Sequence, residues 1–178
     1  MKITLKDGGS LDIPAGQTVG GALSALGLTL GPDILAAKVN GQIVDLSSSL
    51  TEDAQVAPLL FDSAEGREVY RHSSTHIMAQ AVKEVFPTAQ LTIGPALEDG
   101  FFYDFAFERP FAPEDLEKIE ARARDIIKRA LPVKRAELSK QEAVKFFQGR
   151  GEAYKVELIQ GLAEGQTISV YSQGDFTD

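Results

Sequence analysis

The sequence predicts an α+β protein built from two units, and three observations carry that expectation. Charge is divided unevenly: residues 1–61 hold 3 basic and 6 acidic side chains, whereas residues 62–178 hold 15 and 20. Strand-like alternation and helix-like spacing follow one another in both parts. Between them the polar, small run Asp62-Ser63-Ala64-Glu65-Gly66 reads as a linker. The expected domains are therefore 1–61 and 62–178, each long enough for a core of its own.

In the first part Ile3 and Leu5 alternate with polar neighbours, residues 7–9 turn the chain, and Leu11 and Ile13 alternate again. That is a β-hairpin. Thr18 can cap a helix bearing Val19, Ala22, Leu23 and Leu26, with Gly27 as its stop. A second hairpin turns on Asn40-Gly41, a pair suited to a type I′ turn, and residues 54–61 supply a last strand. Hairpin, helix and further strands within some sixty residues describe a small α+β unit such as a β-grasp.

The second part opens with a helix over about 67–86, ended by Pro87. Strand-like runs follow at 90–93 and 101–107. The latter places Phe101, Tyr103, Phe105 and Phe107 on one face. Pro113, with Glu114 and Asp115, starts a helix whose apolar stripe is Leu116, Ile119, Ala123, Ile126 and Ile127. Ser139 and Glu142 form a capping box before another helix through Phe147, and strands are expected near 153–159 and 167–171.

Composition removes several classes of function. With 43% hydrophobic and 25% charged residues the chain is neither disordered nor membrane-spanning, and its start lacks a signal peptide, so the cytoplasm is the expected compartment. A net charge of −8 argues against a surface given over to nucleic acid, though a local basic patch is compatible with it. Zero cysteines exclude disulfides, thiolate metal sites and a cysteine nucleophile within these residues. Walker A and G-x-G-x-x-G loops are absent.

The two histidines, His72 and His76, lie one helical turn apart on a face shared with Ala79 and Lys83. The stripe of Tyr70, Ile77, Ala81, Val82 and Val85 is centred roughly 160° away, so the imidazoles are expected to line a surface cleft and not the main core. Such a pair can hold a metal, orient a water or grip a ligand, or stand idle in solvent. The metalloprotease pattern is excluded because Ser73 and Ser74 stand where its glutamate is needed. Between 118 and 135 seven basic residues (Lys118, Arg122, Arg124, Lys128, Arg129, Lys134, Arg135) meet Glu120 and Asp125. They read as a solvated helix face or as a contact for RNA backbone.

With those residues in hand, the chain resembles from end to end the N-terminal region of bacterial threonyl-tRNA synthetases. The first sixty residues look like that family's TGS domain, a β-grasp (ubiquitin-like) module. The segment from Tyr70 to Val82 (YRHSSTHIMAQAV) is similar to its editing-site helix, followed by Ile93-Gly94-Pro95 and Gly100-Phe101-Phe102-Tyr103-Asp104-Phe105. The resemblance implies a larger α+β editing domain, truncated at its C-terminus, that hydrolyses seryl esters wrongly attached to tRNA(Thr). It implies His72, His76, Lys155 and Asp178 as catalytic residues and Gly94 and Tyr103 as substrate-binding ones, with no metal. Asp178 matches the acidic residue before the family's C-x-x-x-H half-motif, which is not among these residues. ATP, magnesium and zinc are implied only for the missing ligase core. The partner is the tRNA(Thr) 3′ end; the parent is expected to be a homodimer through that core, and the present chain a monomer. The alternatives are a non-catalytic module holding RNA or a partner, and a zinc domain, for which two visible ligands fall short of four.

Overall fold

A computed structural model describes residues 1–6 and 8–178; Asp7, in the expected turn at 7–9, lies outside the described residues. The chain divides into two compact units, Met1–Arg71 and His72–Asp178.

In the first unit β1 (Lys2–Leu5) and β2 (Ser10–Asp12) form the expected antiparallel hairpin. Helix α1 (Val19–Ala25) starts on Thr18, whose hydroxyl accepts the Gly21 N–H at 3.1 Å. Strands β3 (Ile34–Val39) and β4 (Gln42–Val44) turn through Asn40 and Gly41, with φ of 50° and 85°. Both angles are positive, as a type I′ turn requires. Strand β5 (Ala54–Leu60) inserts parallel to β1 and antiparallel to β3, giving the mixed order β2-β1-β5-β3-β4. Ile3, Val19, Leu23, Ala37 and Val56 fill the core. Burying one such side chain as large as Leu23 contributes about 1.5–3 kcal/mol.

Helix α2 (Ala64–Val85) begins earlier than expected and takes in part of the segment read as a linker. The reason is local. Ser63 Oγ accepts the Gly66 N–H at 3.0 Å and donates to the Leu60 carbonyl at 2.7 Å, so a small polar stretch serves as a helix cap. Gly66 is required there, because a Cβ would fall 2.8 Å from Ser63 Oγ and closer still to the Leu60 carbonyl. Tyr70, assigned to the apolar stripe, is exposed and packs edge-on against Phe61.

The second unit holds three small sheets. Strands β6 (Gln90–Leu91) and β9 (Phe105–Ala106) pair, as do β7 (Ala96–Leu97) and β8 (Gly100–Phe101). The run 101–107 is thus not one strand. Asp104 exchanges backbone bonds with Thr92 and Ile93, while Phe101 belongs to a separate hairpin, so Phe101 and Phe102 are exposed and Tyr103 is buried.

Helix α3 (Pro113–Arg129) opens on Pro113, and Asp115 accepts the Ala112 N–H at 2.9 Å while pairing with Arg109. Ile119 and Ile126 pack with Ala81 and Val82, but Leu116 and Ile127 remain 57% and 59% exposed. The buried face is narrower than the sequence stripe. The helix exits through Ala130 at φ 47°, a left-handed position.

Strand β10 (Val133–Leu138) follows, unmarked in the sequence because nearly all of it is exposed and half of it is charged. Helix α4 (Lys140–Gly149) carries the expected Ser139–Glu142 box. Residues 153–159, read as a strand, form helix α5 (Ala153–Gly161) instead. Gly151 at φ 72° turns the chain, and Ile159 of α5 is buried with Ala143 and Phe147 of α4. Strands β11 (Ile168–Gln173) and β12 (Phe176–Thr177) complete the antiparallel order β10-β11-β12. Among the described residues no helix is long and apolar enough to cross a membrane.

Candidate functional site

A cleft of about 300 Å³ in the second unit is lined by residues from four segments. Helix α2 supplies His72, Thr75 and His76; residues 92–95 and Tyr103 come from the β6–β9 region; α5 supplies Lys155 and Leu158; β11 and the residues after it supply Ser169, Tyr171 and Asp178. All six residues singled out in the sequence (His72, His76, Gly94, Tyr103, Lys155 and Asp178) lie on this one cleft.

The histidine rings stand 4.7 Å apart between centroids, and Tyr171 meets both, at 5.6 Å from His72 and 5.5 Å from His76. His72 is exposed and His76 half-buried. The lower end of their helix face is not open to solvent. Ala79 is buried there against Leu91 and Tyr103, so the floor of the cleft is packed. Burial depresses the His76 pKa to about 4, helped by the charges of His72 and Lys155 and opposed by Asp178. His76 is therefore a neutral imidazole at pH 7.

Across the cleft three polar groups form one network. Tyr103 donates its hydroxyl proton to Asp178 Oδ2 at 2.7 Å, Lys155 Nζ donates to the Tyr103 oxygen at 3.1 Å, and Lys155 forms an ion pair with Asp178 Oδ1. Burial, then the Asp178 charge and the hydrogen bond to it, push the Tyr103 pKa upward, so the phenol stays protonated. Lys155 thus gives one hydrogen bond to Tyr103 and sets its positive charge beside the Asp178 carboxylate at the edge of the cleft. Gly94 sits against the Tyr103 ring, where a Cβ would come within 2.6 Å of Cε2. Its lack of a side chain is what lets the ring lie in the wall. Asp178 is held by main-chain bonds with Tyr171 in both directions, at 2.7 and 3.0 Å.

A family model described as "TGS domain" matches residues 1–57. The threonine–tRNA ligase of Symbiobacterium thermophilum is 50% identical over 99% of this chain and 27% of its own length. That of Methylococcus capsulatus is 48% identical over 99% of this chain and 28% of its length, and that of Desulforamulus reducens is 50% identical over the whole chain and 28% of its length. In sequence the chain matches the TGS domain and part of the editing domain of threonine–tRNA ligases. It spans little more than a quarter of the length of these relatives.

The basic segment 118–135 does not form a bare cationic face. Lys118 pairs with Asp115, Arg122 and Arg129 with Glu84, Arg124 with Glu120, Lys128 with Asp125 and Arg135 with Glu137. No group of three or more His, Cys, Asp or Glu able to hold a metal occurs among the described residues. Sequence reasoning missed Tyr171, which lies at the end of a strand it did recognise. It also missed the buried Glu152, whose only sequence signal is its place three residues before Lys155.

Proposed function

We propose that this chain is the TGS-bearing, ester-hydrolysing region of a threonine–tRNA ligase, acting on seryl groups wrongly attached to tRNA(Thr). The observation that carries this reading is the meeting of His72, His76, Lys155, Tyr103, Gly94 and Asp178 on one cleft. These are the residues that the family resemblance marks out from widely separated parts of the sequence. The mixed five-stranded sheet with α1 packed on β5 supports a β-grasp topology for the first unit. The TGS match over 1–57 supports a first domain ending near residue 61.

A cleft of about 300 Å³ lies at the small end of the usual range for ligand sites, room for an aminoacyl group and its ribose but not for folded RNA. Serine lacks one methyl of threonine, a difference worth only about 1–3 kcal/mol in a single pocket, so a ligase for threonine needs a second, stricter site. Hydrolysis forms a bond from water oxygen to the ester carbon and breaks the bond to the ribose oxygen, which leaves with a proton. His76, neutral and weakly basic, suits orienting the water better than removing its proton outright. The positive charge of Lys155, which lines the cleft, suits the oxyanion that develops at the carbonyl. Tyr103, kept as a phenol, holds Lys155 and Asp178 in place.

Threonine ligation with ATP, and the magnesium and zinc that go with it, belong in this reading to the rest of such an enzyme; the two imidazoles here offer only half of a structural zinc's ligands. The pairing of charge along α3 gives the purely RNA-holding alternative little support. The test is deacylation of seryl- and threonyl-tRNA(Thr) by this chain and by a version extended through a C-x-x-x-H segment. We expect the extended protein to hydrolyse the seryl ester selectively, the present chain to be much slower, and K155A to abolish the reaction. Equal rates on both esters, or activity indifferent to Lys155, would overturn the reading.

A further inference from the structure

Beside the segments that line the cleft lies an ion pair, buried at Glu152 and partly buried at Lys83, that the chemistry above does not use. Glu152 is buried, and both of its carboxylate oxygens are engaged: Oε1 meets Lys83 Nζ at 2.7 Å and Oε2 accepts the Leu91 N–H at 3.3 Å. Lys83 also donates to the carbonyls of Pro87 at 3.0 Å and Ala89 at 2.8 Å. Next to it Gln90 Oε1 accepts the Ala153 N–H at 3.2 Å. These bonds join three segments that each contribute to the cleft: α2 with His72 and His76, the stretch 90–95, and the first turn of α5 with Lys155.

A buried ion pair is a poor device for stability alone, since desolvation offsets the Coulomb attraction and apolar side chains of similar volume serve as well. What it adds is direction. The fork of Glu152 ties the start of α5 to Lys83 of α2 through one oxygen and to Leu91 of β6 through the other, and Lys155 follows less than one helical turn later on the same rigid element. The Val156 N–H donates to the Glu152 carbonyl at 3.1 Å, so a displacement of Glu152 carries the turn with it.

We propose that the Lys83–Glu152 pair is the positioning device of the cleft: it sets the first turn of α5 against residues 90–95 and so places Lys155 Nζ beside Tyr103 and Asp178. Glu152 is a positioning residue that acts through Lys155, with no contact to the ester. The consequence for rate rests on the hydrolytic reading above; the consequence for Lys155 does not.

The experiment follows the Lys155 Cε signal by NMR, assigned by its loss in K155R, together with its nuclear Overhauser contact to the Tyr103 ring. Two variants are compared with the parent chain. E152Q keeps an acceptor for the Leu91 N–H but strands the Lys83 charge; K83M/E152M removes both charges together, so that no charge is left unpaired, while the Leu91 N–H loses its carboxylate acceptor. In both we expect the Lys155–Tyr103 contact to weaken and the Cε signal to move toward that of a solvated lysine, with the double variant still unfolding cooperatively. In an extended, active version of the double variant, kcat should fall by roughly tenfold to a hundredfold with KM little changed. A folded double variant with the parent's Lys155 signal overturns the proposal, and so does failure of both variants to fold, which assigns the pair to structure alone. A shifted Lys155 signal in a protein whose parent form hydrolyses no ester upholds the positioning role and removes the hydrolytic reading instead.

Discussion

The two units handle polarity in opposite ways. Among the described residues of Met1–Arg71 the buried side chains are apolar, and most of them gather into one core with a five-stranded sheet. In His72–Asp178 the core is split into three clusters, and Thr75, Gln80, Asp115, Glu152, Gln173 and Thr177 are all buried among them. Every buried polar side chain among the described residues thus belongs to the unit with the cleft. Apolar burial is non-directional and gives stability; buried hydrogen-bonded groups give fixed directions at a desolvation cost. The contrast separates a unit built to be stable from one built to hold side chains at defined angles.

The sharpest way to break this comparison is Leu23→Ala, which empties a fully buried site of the first unit. We expect a loss of about 2–5 kcal/mol in denaturant unfolding, with the ring signals of Tyr103 and Tyr171 unchanged below the transition. Coupled changes in those signals would show that the units share their energetics. Next in size is acid. His76 has a folded pKa of about 4 against 6.5 in the unfolded chain, so between those values the unfolded chain binds a proton that the folded chain refuses. Stability should therefore fall as pH drops from about 6.5 to about 4, by up to roughly 3 kcal/mol, and His76→Gln should flatten that window. Asp115, held down to about 2 first by its Arg109 hydrogen bond, adds a separate loss as pH falls from the ordinary carboxylate range through about 2. Asp115→Asn should remove that second step, seen as a change in slope of the unfolding midpoint against pH.

Gly94→Ala sharpens the comparison from the other side. Its Cβ would drive the Tyr103 ring from the wall, at a cost of about 1–3 kcal/mol, and should break the Tyr103–Asp178 bond. Ring NMR of Tyr103 reads the displacement directly. The smallest of these effects is expected from the caps. Thr18→Ala in the first unit and Ser139→Ala in the second should each cost about 1 kcal/mol, because a cap is a local device indifferent to the polarity of the core behind it.

Elements with their own local chemistry were legible in the sequence. The Asn40-Gly41 turn, the Thr18 cap, Pro113 and the Ser139–Glu142 box each specify their backbone within a few residues. Where two periods fit, the reading failed. Tyr154, Val156 and Leu158 alternate with Lys155 and Glu157 like a strand, yet form a helix because Ile159 packs against α4 and leaves Tyr154 and Leu158 exposed. The aromatic run 101–107 alternates too, but its pairing partners differ along its length. The six cleft residues could be named from motif likeness, whereas no spacing rule could bring Lys155 to Tyr103 across 52 residues. That juxtaposition depends on β6, α5 and the Glu152 fork, all of them tertiary.

The exit of α3 carries a consequence for how this sequence could change. Ala130 holds a left-handed backbone at φ 47° and donates its N–H to Ile127 at 3.1 Å, in a position where glycine ordinarily ends a helix. An L-residue there is disfavoured by roughly 1–2 kcal/mol, partly offset by the smaller chain entropy that alanine loses on folding. The chain thus retains an unspent reserve of stability at an exposed site that does not line the cleft. Ala130→Gly should raise the midpoint of unfolding slightly and leave the cleft as it is. A lineage holding such a reserve could absorb a mildly damaging change among the polar groups around Lys155 and restore its folding margin with one substitution at the helix end.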